Sequence, residues 1–187
     1  DTMIVAAYLF LLAGFSNEPG LQGPDNPAGT VHAYEVIESV GHRVASSSLL
    51  VNDHVVQWYN SGTPLELWGF IHEQCQGRQG WPLIVEFTVK NAGTDGSVIR
   101  YTAAGAAAAE MIRAQLHDLL DPLPGSWPVT IEADPAPATD CAAVRIALGD
   151  MSGTNGRTWL GGEAFQVSLA NAISVAVLNY VLQPIPE

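Results

Sequence analysis

The tetrapeptide His72-Glu73-Gln74-Cys75 holds the densest group of chemically capable side chains in the sequence. An imidazole base, a carboxylate and a thiol are the parts of a nucleophilic catalytic site. On a β-strand, however, adjacent side chains point to opposite faces, so His72 would face away from Glu73 and Cys75. These three residues are therefore our catalytic candidates only if the fold supplies a further partner. The alternative is a half-buried strand whose polar residues reach solvent.

A second candidate pair is His32 with Glu35, which are three residues apart and would share one face of a helix. Such a pair is compatible with metal ligation, but a site needs a third and a fourth ligand. His42, His54 and His72 are available, and nothing in the sequence selects among them. Helix capping and surface pairing explain His32 and Glu35 more simply, so we predict no metal site.

The remaining acidic and basic groups give no recognisable motif. Asp134 and Asp140 flank prolines, and acid–base catalysis would require both in one cleft. His117 fits the polar face of a helix. Phosphate-binding, dinucleotide-binding, serine-hydrolase and zinc-protease motifs are all missing from the sequence, so we predict no cofactor. Cys75 and Cys141 fit a disulfide or two free thiols equally well, which leaves the compartment undetermined.

The charge balance excludes two kinds of partner. Seven Lys and Arg stand against 19 Asp and Glu, for a net charge of -12, and the basic residues are scattered. Nucleic acids and anionic lipids both require clustered basic residues. Charged residues make up only 14% of the chain, against roughly 25% in ordinary soluble domains. The domain is either lightly charged by nature or partly covered by neighbouring subunits.

The N-terminal region divides into an apolar segment and a loop. Met3 to Phe15 are thirteen uncharged, mostly apolar residues, too few for a membrane span of about 20. This segment is a buried helix or strand, a docking arm or a targeting remnant. Residues 16–30 are rich in Pro and Gly and predict a long loop. We therefore separate residues 1–30, an apolar appendage with its loop, from a domain of residues 31–187.

Within that domain the apolar spacing predicts alternating strands and helices. A helix covers residues 31–44 and ends near Gly41, and two short strands flank a turn at Asn52-Asp53. Residues 65–75, 82–90 and 97–101 form three consecutive antiparallel strands. Thr102 caps a helix over residues 103–120. Residues 129–133 and 142–148 are strands, residues 150–162 form a loop, and residues 164–182 are a strand or loop that turns into a helix. The predicted fold is a single α+β domain with a mainly antiparallel sheet, one amphipathic helix on it and the apolar N-terminal appendage.

Two apolar ends and a low charge density favour a structural or assembly subunit, such as a virion or surface-structure component. It would bind copies of itself or other protein subunits. Large aromatic side chains near the ends and loops are the candidate interface residues, namely Tyr8, Phe10, Trp81 and Trp159. One alternative is a small hydrolase or transferase with a histidine and a carboxylate in a cleft. Another is a secreted module that binds carbohydrate or another ligand through its tryptophans.

Overall fold

Six strands form one mixed sheet in the order β2-β1-β3-β6-β4-β5. The computed structural model describes residues 8–14, 33–48, 55–61, 73, 82–90, 92–122, 127–137, 139–152 and 155–183. The strands are β1 (Tyr8–Gly14), β2 (Val55–Ser61), β3 (Pro82–Lys90), β4 (Ser97–Tyr101), β5 (Val129–Ala133) and β6 (Ala143–Asp150). The helices are α1 (Ala33–Ser48), a 3₁₀ turn (Ala103–Gly105), α2 (Ala106–Leu120), α3 (Gly156–Leu160) and α4 (Glu163–Val181).

The sheet is mostly parallel, which corrects the predicted antiparallel arrangement. Strand β1 pairs in parallel with β2 and β3, β3 with β6, and β4 with β5, while β4 and β6 are antiparallel. The turn between β3 and β4 exists, but β6 lies between these two strands, so they form no hairpin. Strand β6 can take this central place because its two faces are both almost entirely buried. The α+β class and the single domain are confirmed.

The apolar N-terminal segment supplies an inner strand of the sheet. Tyr8 pairs with Val55 of β2 on one side and with Pro82 of β3 on the other, and Phe10 also has partners on both sides. Residues 8–14 therefore form a strand of this sheet, and the division of the chain at residue 30 stays a prediction. An uninterrupted apolar run is what a parallel strand needs when both its faces are covered.

Helices α1, α2 and α4 enclose the main hydrophobic core against one face of the sheet. The core includes Val85 and Phe87 of β3, Ile146 of β6 and Ile112 of α2, all completely buried. Helix α4 packs against both α1 and α2, and it contributes Ile173 among its buried residues. The helix is continuous from Glu163, so the predicted strand at its start is wrong. By length and composition α4 could cross a membrane, yet half of its apolar window is buried inside the domain.

Two residues that the sequence predicts at helix ends, Gly41 and Thr102, do not have those roles in the structure. Gly41 does not end α1 but is buried in its interior. Thr102 precedes the 3₁₀ turn without capping it. Its hydroxyl instead donates to the carbonyl oxygen of Cys141 at 2.7 Å and accepts from the amide of Ala143 at 3.0 Å. The side chain therefore ties the end of β4 to the start of β6.

Ser174 of α4 offers a test of this packing. Its side chain is 4% exposed, and its hydroxyl has no hydrogen-bond partner within the described part of the chain. Since an unpaired buried hydroxyl costs about 1–3 kcal/mol, we expect Ser174→Ala to leave the free energy of unfolding unchanged or to raise it, as measured by urea denaturation. Ser168→Ala is the matched control, because the Ser168 hydroxyl donates to the Ala164 carbonyl at 3.0 Å. A clear loss of stability in Ser174→Ala alone would contradict this account.

Candidate active site at the carboxyl edge of the sheet

The four strands β1, β2, β3 and β6 run in the same direction, so their carboxyl ends lie along one edge of the sheet. We call this the carboxyl edge; its strands end at Gly14, Ser61, Lys90 and Asp150. In open α/β sheets, ligands bind outside this edge where the strand order reverses. Here the chain goes from β1 outward to β2 and then back to β3, so the reversal lies between β1 and β3.

Helix α1 brings its first turn to this edge. It connects the carboxyl end of β1 to the start of the parallel strand β2, so it must begin near the carboxyl edge and run back. Glu35 is exposed in that first turn, and His32 is covalently next to Ala33, where the helix begins. The topology therefore places Glu35 of the predicted His32–Glu35 pair at this edge, while His32 lies outside the described residues.

Asp150 ends β6 and holds the loop that crosses over the strand. This loop, residues 91–96, leads from β3 to β4 and passes the end of β6. One carboxylate oxygen of Asp150 accepts from the amides of Ala92 at 2.8 Å and Thr94 at 3.2 Å. The other accepts from the amide and the hydroxyl of Ser152, at 2.9 and 2.7 Å. Asp150 is completely buried.

Asp95 makes the reciprocal connection from the crossing loop. One of its oxygens accepts from the amides of Asn155 and Gly156, each at 3.0 Å, and the other accepts from the side-chain amide of Asn155 at 3.0 Å. Gly96 allows the loop to enter β4, because its φ is +118° and a Cβ there would lie 2.7 Å from the Pro128 carbonyl. Two carboxylates thus join the β3–β4 loop to the β6–α3 loop, an arrangement that we call the carboxylate clamp.

The carboxylate clamp is a structural device. Burial alone would raise the pKa of Asp150, but hydrogen bonds from Ser152, Ala92 and Thr94 outweigh it and lower the pKa. A carboxylate that stays ionised and accepts four hydrogen bonds has little capacity left to act as a general acid or base. The clamp therefore fixes the rim of the carboxyl edge without taking part in proton transfer.

An aromatic cluster supports the same rim. Trp127 stacks on Trp159 at 5.1 Å and meets Phe165 edge-on at 5.8 Å. The Trp127 indole donates to the Ser97 hydroxyl at 3.0 Å, and that hydroxyl donates to the Leu148 carbonyl. Trp159, a predicted interface residue, thus packs partly inside its own domain; its contact with a partner stays a prediction.

The catalytic candidates of the sequence are only partly described. Glu73 is exposed and has helical backbone, so the strand predicted for residues 72–75 is wrong at that position. His72 and Cys75 lie outside the described residues, as do His32, His54 and Trp81. His42 is exposed on α1, and His117 is exposed near the end of α2. The structure therefore brings none of the predicted catalytic residues together within its described part.

Metal-ligating residues also form no group within the described part of the chain: no three His, Cys, Asp or Glu there lie close enough to hold an ion. Cys141 is a free thiol, and Cys75 lies outside the described residues. Asp134 accepts from the amide of Ala136, two residues along, at 3.0 Å, and Asp140 is exposed, which fits the predicted solvated loop. A metal centre at the carboxyl edge therefore needs at least one ligand from outside the described residues.

Sequence reasoning missed the carboxylate clamp. Asp150 opens the predicted loop 150–162, and Asp95 lies between the strands predicted for residues 82–90 and 97–101, which are ordinary places for aspartate. The available signal was a lone acid directly after the apolar run of β6 and a second one before Gly96. Neither signal identifies the loop that the carboxylate binds, because Asp150 and Ala92 are 58 positions apart in the chain and Asp95 and Asn155 are 60 apart.

Comparison with solved structures finds the same fold in cell-wall amidases. The N-acetylmuramoyl-L-alanine amidase AmiC2 of Nostoc punctiforme is 17% identical with a TM-score of 0.73, and the match covers 95% of this chain and 98% of that one. The catalytic domain of the amidase CwlV from Paenibacillus polymyxa is 17% identical with a TM-score of 0.70, covering 93% and 97%. The catalytic domain of the CD27L endolysin is 16% identical with a TM-score of 0.61, and the match covers 94% of this chain and 97% of that one. No protein-family model and no curated protein matches the chain.

These neighbours overturn the prediction of a structural or assembly subunit. At sequence identities of 14–17%, the structural similarity establishes the fold alone. The solved structures with this fold are amidases, which are hydrolases. The hydrolase alternative agrees better with that fold. The physical argument for a subunit also weakens, because the two apolar ends are a central strand and a helix packed inside the domain.

Asp150→Asn tests the clamp. The amide would direct N–H groups at backbone N–H donors, so we expect a loss of about 2 kcal/mol in unfolding free energy at pH 7. Because the folded state lowers the pKa of Asp150, its contribution is present above pH 4 and is lost as the pH falls below that value. Urea denaturation should therefore show a smaller difference in unfolding free energy between Asp150→Asn and wild type at pH 3 than at pH 7. The exposed Asp140→Asn is the control, and equal stability of both variants at pH 7 would refute the clamp.

Proposed function

We propose that this protein is a hydrolase of the amide bond that joins N-acetylmuramic acid to L-alanine in bacterial cell walls. The observation that carries this proposal is the match in fold over nearly the whole length of both chains, 95% and 98% for the amidase of Nostoc punctiforme. A match of this extent includes the strands and crossovers that build the carboxyl edge. The proposal replaces the structural-subunit interpretation.

The reaction needs three things at the carboxyl edge: an activated water or nucleophile, stabilisation of the developing oxyanion and a proton for the leaving amine. Histidine can transfer the proton, and a histidine–carboxylate set can hold a metal ion that activates water. His32 and Glu35 are our first candidates, because α1 begins at this edge. His72 with Glu73 and Cys75 remains the second set, since its connection leads from β2 to β3.

The described residues contribute a rigid support for this chemistry. The carboxylate clamp holds the two loops that follow β3 and β6, and the aromatic cluster packs beneath them. Catalytic groups must be held within about half an ångström of their productive positions, so a fixed rim is useful even when it supplies no reacting group.

The test is the release of L-alanyl peptides, with a new free amino group, from purified muramoyl peptides, assayed with and without added Zn²⁺. We expect release by the wild-type chain and a loss of at least about 100-fold in His32→Ala or His72→Ala, the range of a lost acid–base group. His42→Ala and His117→Ala should keep full activity. His42 lies about 13 Å along α1 from the start of the helix, and His117 is on the surface of α2.

Two results would contradict the proposal. A folded wild-type chain that releases no peptide under either metal condition would exclude the amidase activity. Equal activity of all four histidine variants would exclude the assigned residues but leave the reaction in place. Circular dichroism of each variant establishes that lost activity does not come from unfolding.

A further inference from the structure

The only lysine of this sequence is the last residue of β3, Lys90. The pairing of β3 with β1 stops at Phe87, opposite Ala13, whereas its pairing with β6 continues to Lys90, opposite Asp150. Lys90 therefore lies three residues beyond the last β1 pair, or about 10 Å at strand spacing. It borders the point between β1 and β3 where the strand order reverses, which is where open α/β sheets bind their ligands.

The backbone of Lys90 is fixed by the sheet and by the carboxylate clamp. Its carbonyl oxygen accepts from the amide of Met151 at 3.0 Å. Two residues further on, the amide of Ala92 donates to the clamp at 2.8 Å. The preceding residue, Val89, is completely buried in the main core, so strand alternation directs the Lys90 side chain to the opposite face. The side chain therefore starts from a well-defined position at the carboxyl edge.

The ammonium group of Lys90 has no carboxylate partner within the described part of the chain. Four arginines with described side chains each form an ion pair with a glutamate, namely Arg43, Arg100, Arg113 and Arg145. None of these described pairs includes Lys90, although acidic residues outnumber basic ones by 19 to 7. Its register partner Asp150 directs both carboxylate oxygens to the two loops of the carboxylate clamp instead. Lys90 is thus a half-buried cation whose charge the described residues do not neutralise.

We propose that Lys90 is a catalytic residue that stabilises the oxyanion formed during amide cleavage. The proposal rests on the amidase function proposed above. Water loses a proton to the base of the site and attacks the carbonyl carbon of the muramoyl–alanine bond, so the C=O electron pair moves onto oxygen. That oxygen accepts a hydrogen bond from the Lys90 ammonium. When the electron pair returns, the C–N bond breaks and the leaving nitrogen takes a proton from the acid of the site, which gives a carboxylic acid and an amine.

The position of Lys90 favours stabilisation of the transition state over binding of the resting substrate. A cation interacts much more strongly with a full negative charge than with a neutral carbonyl oxygen, and partial burial strengthens this interaction. An ammonium carries three N–H donors on a compact charge, so one donor can reach the oxyanion. The fixed backbone reduces the reorganisation needed during the reaction. Such a contact lowers the barrier from the bound substrate, and it therefore acts on kcat.

Lys90→Met tests this role, because it removes the charge and keeps an unbranched side chain. We expect kcat for the release of L-alanyl peptides to fall about 100-fold or more with little change in KM, as for a lost oxyanion donor. Lys90→Arg should recover part of the activity. Arg113→Met on the surface of α2 is the matched control and should keep the wild-type kcat. A wild-type kcat in Lys90→Met, or a loss confined to KM, would overturn the inference.

A second measurement leaves the sequence unchanged. Because Lys90 is the only lysine, reductive methylation with ¹³C-formaldehyde labels this side chain together with the α-amino group, and the methylated amine keeps its positive charge and one N–H donor. The probe is a muramoyl peptide with a phosphinate in place of the scissile carbonyl, which resembles the charged tetrahedral intermediate. We expect the phosphinate to shift the Lys90 NMR signal and its neutral methyl ester to leave the signal in place.

Calorimetry with the same two compounds separates this inference from the proposed reaction. Lys90→Met should bind the phosphinate at least about tenfold more weakly than wild type and the methyl ester equally well. This result in a chain that cleaves no muramoyl peptide would support Lys90 as the group that binds the anionic centre and would contradict the amidase function alone. Cleavage that does not depend on Lys90, with equal phosphinate binding in both chains, would leave the reaction in place and refute the role of Lys90.

Discussion

The structure depends on the insertion of β6 between β3 and β4. This insertion requires the β3–β4 connection to pass over the end of β6. Backbone amides need acceptors, and the buried carboxylate of Asp150 accepts from those of Ala92 and Thr94 at the point of crossing. The same crossing brings Asp95 to the start of α3. One topological constraint therefore accounts for the positions of buried Asp150 and half-buried Asp95, and it fixes the loops that border the carboxyl edge.

The two faces of the sheet follow different rules. Towards the helices, alternate residues of β3 and β6 are apolar and completely or almost completely buried. On the other face the same strands carry Glu86 and Arg145 in the middle of the sheet. Burying an ion pair is expensive, and replacing it by apolar residues is often neutral or stabilising. The Glu86–Arg145 pair therefore has to offset the desolvation of both charges through its direct hydrogen bond.

The low proportion of charged residues suggested that other subunits cover part of the surface. The fold explains this low proportion without other subunits. The uncharged stretch of α4 lies against α1 and α2, where one side of the helix is core. Segment 8–14 needs no charged residue because β1 has a strand on each side. A small domain with a central apolar helix and an inner apolar strand has few positions left for charge. Hydrolases share this architecture, so low charge is not evidence for a scaffold role.

Local sequence patterns determined most element types: α1, α2, β3, β4, β5 and β6 are close to where periodicity predicts them, since period and propensity are local properties. The tertiary structure alone decided that β6 separates β3 from β4, that β1 is an inner strand, and that Asp95 and Asp150 each bind a loop about 60 positions away. Strand pairing depends on which distant segments bury each other best, and turn residues such as Gly93 and Gly96 are compatible with a hairpin or a crossing. The candidate site was harder still to predict: its position follows from strand order, which no single stretch of sequence contains.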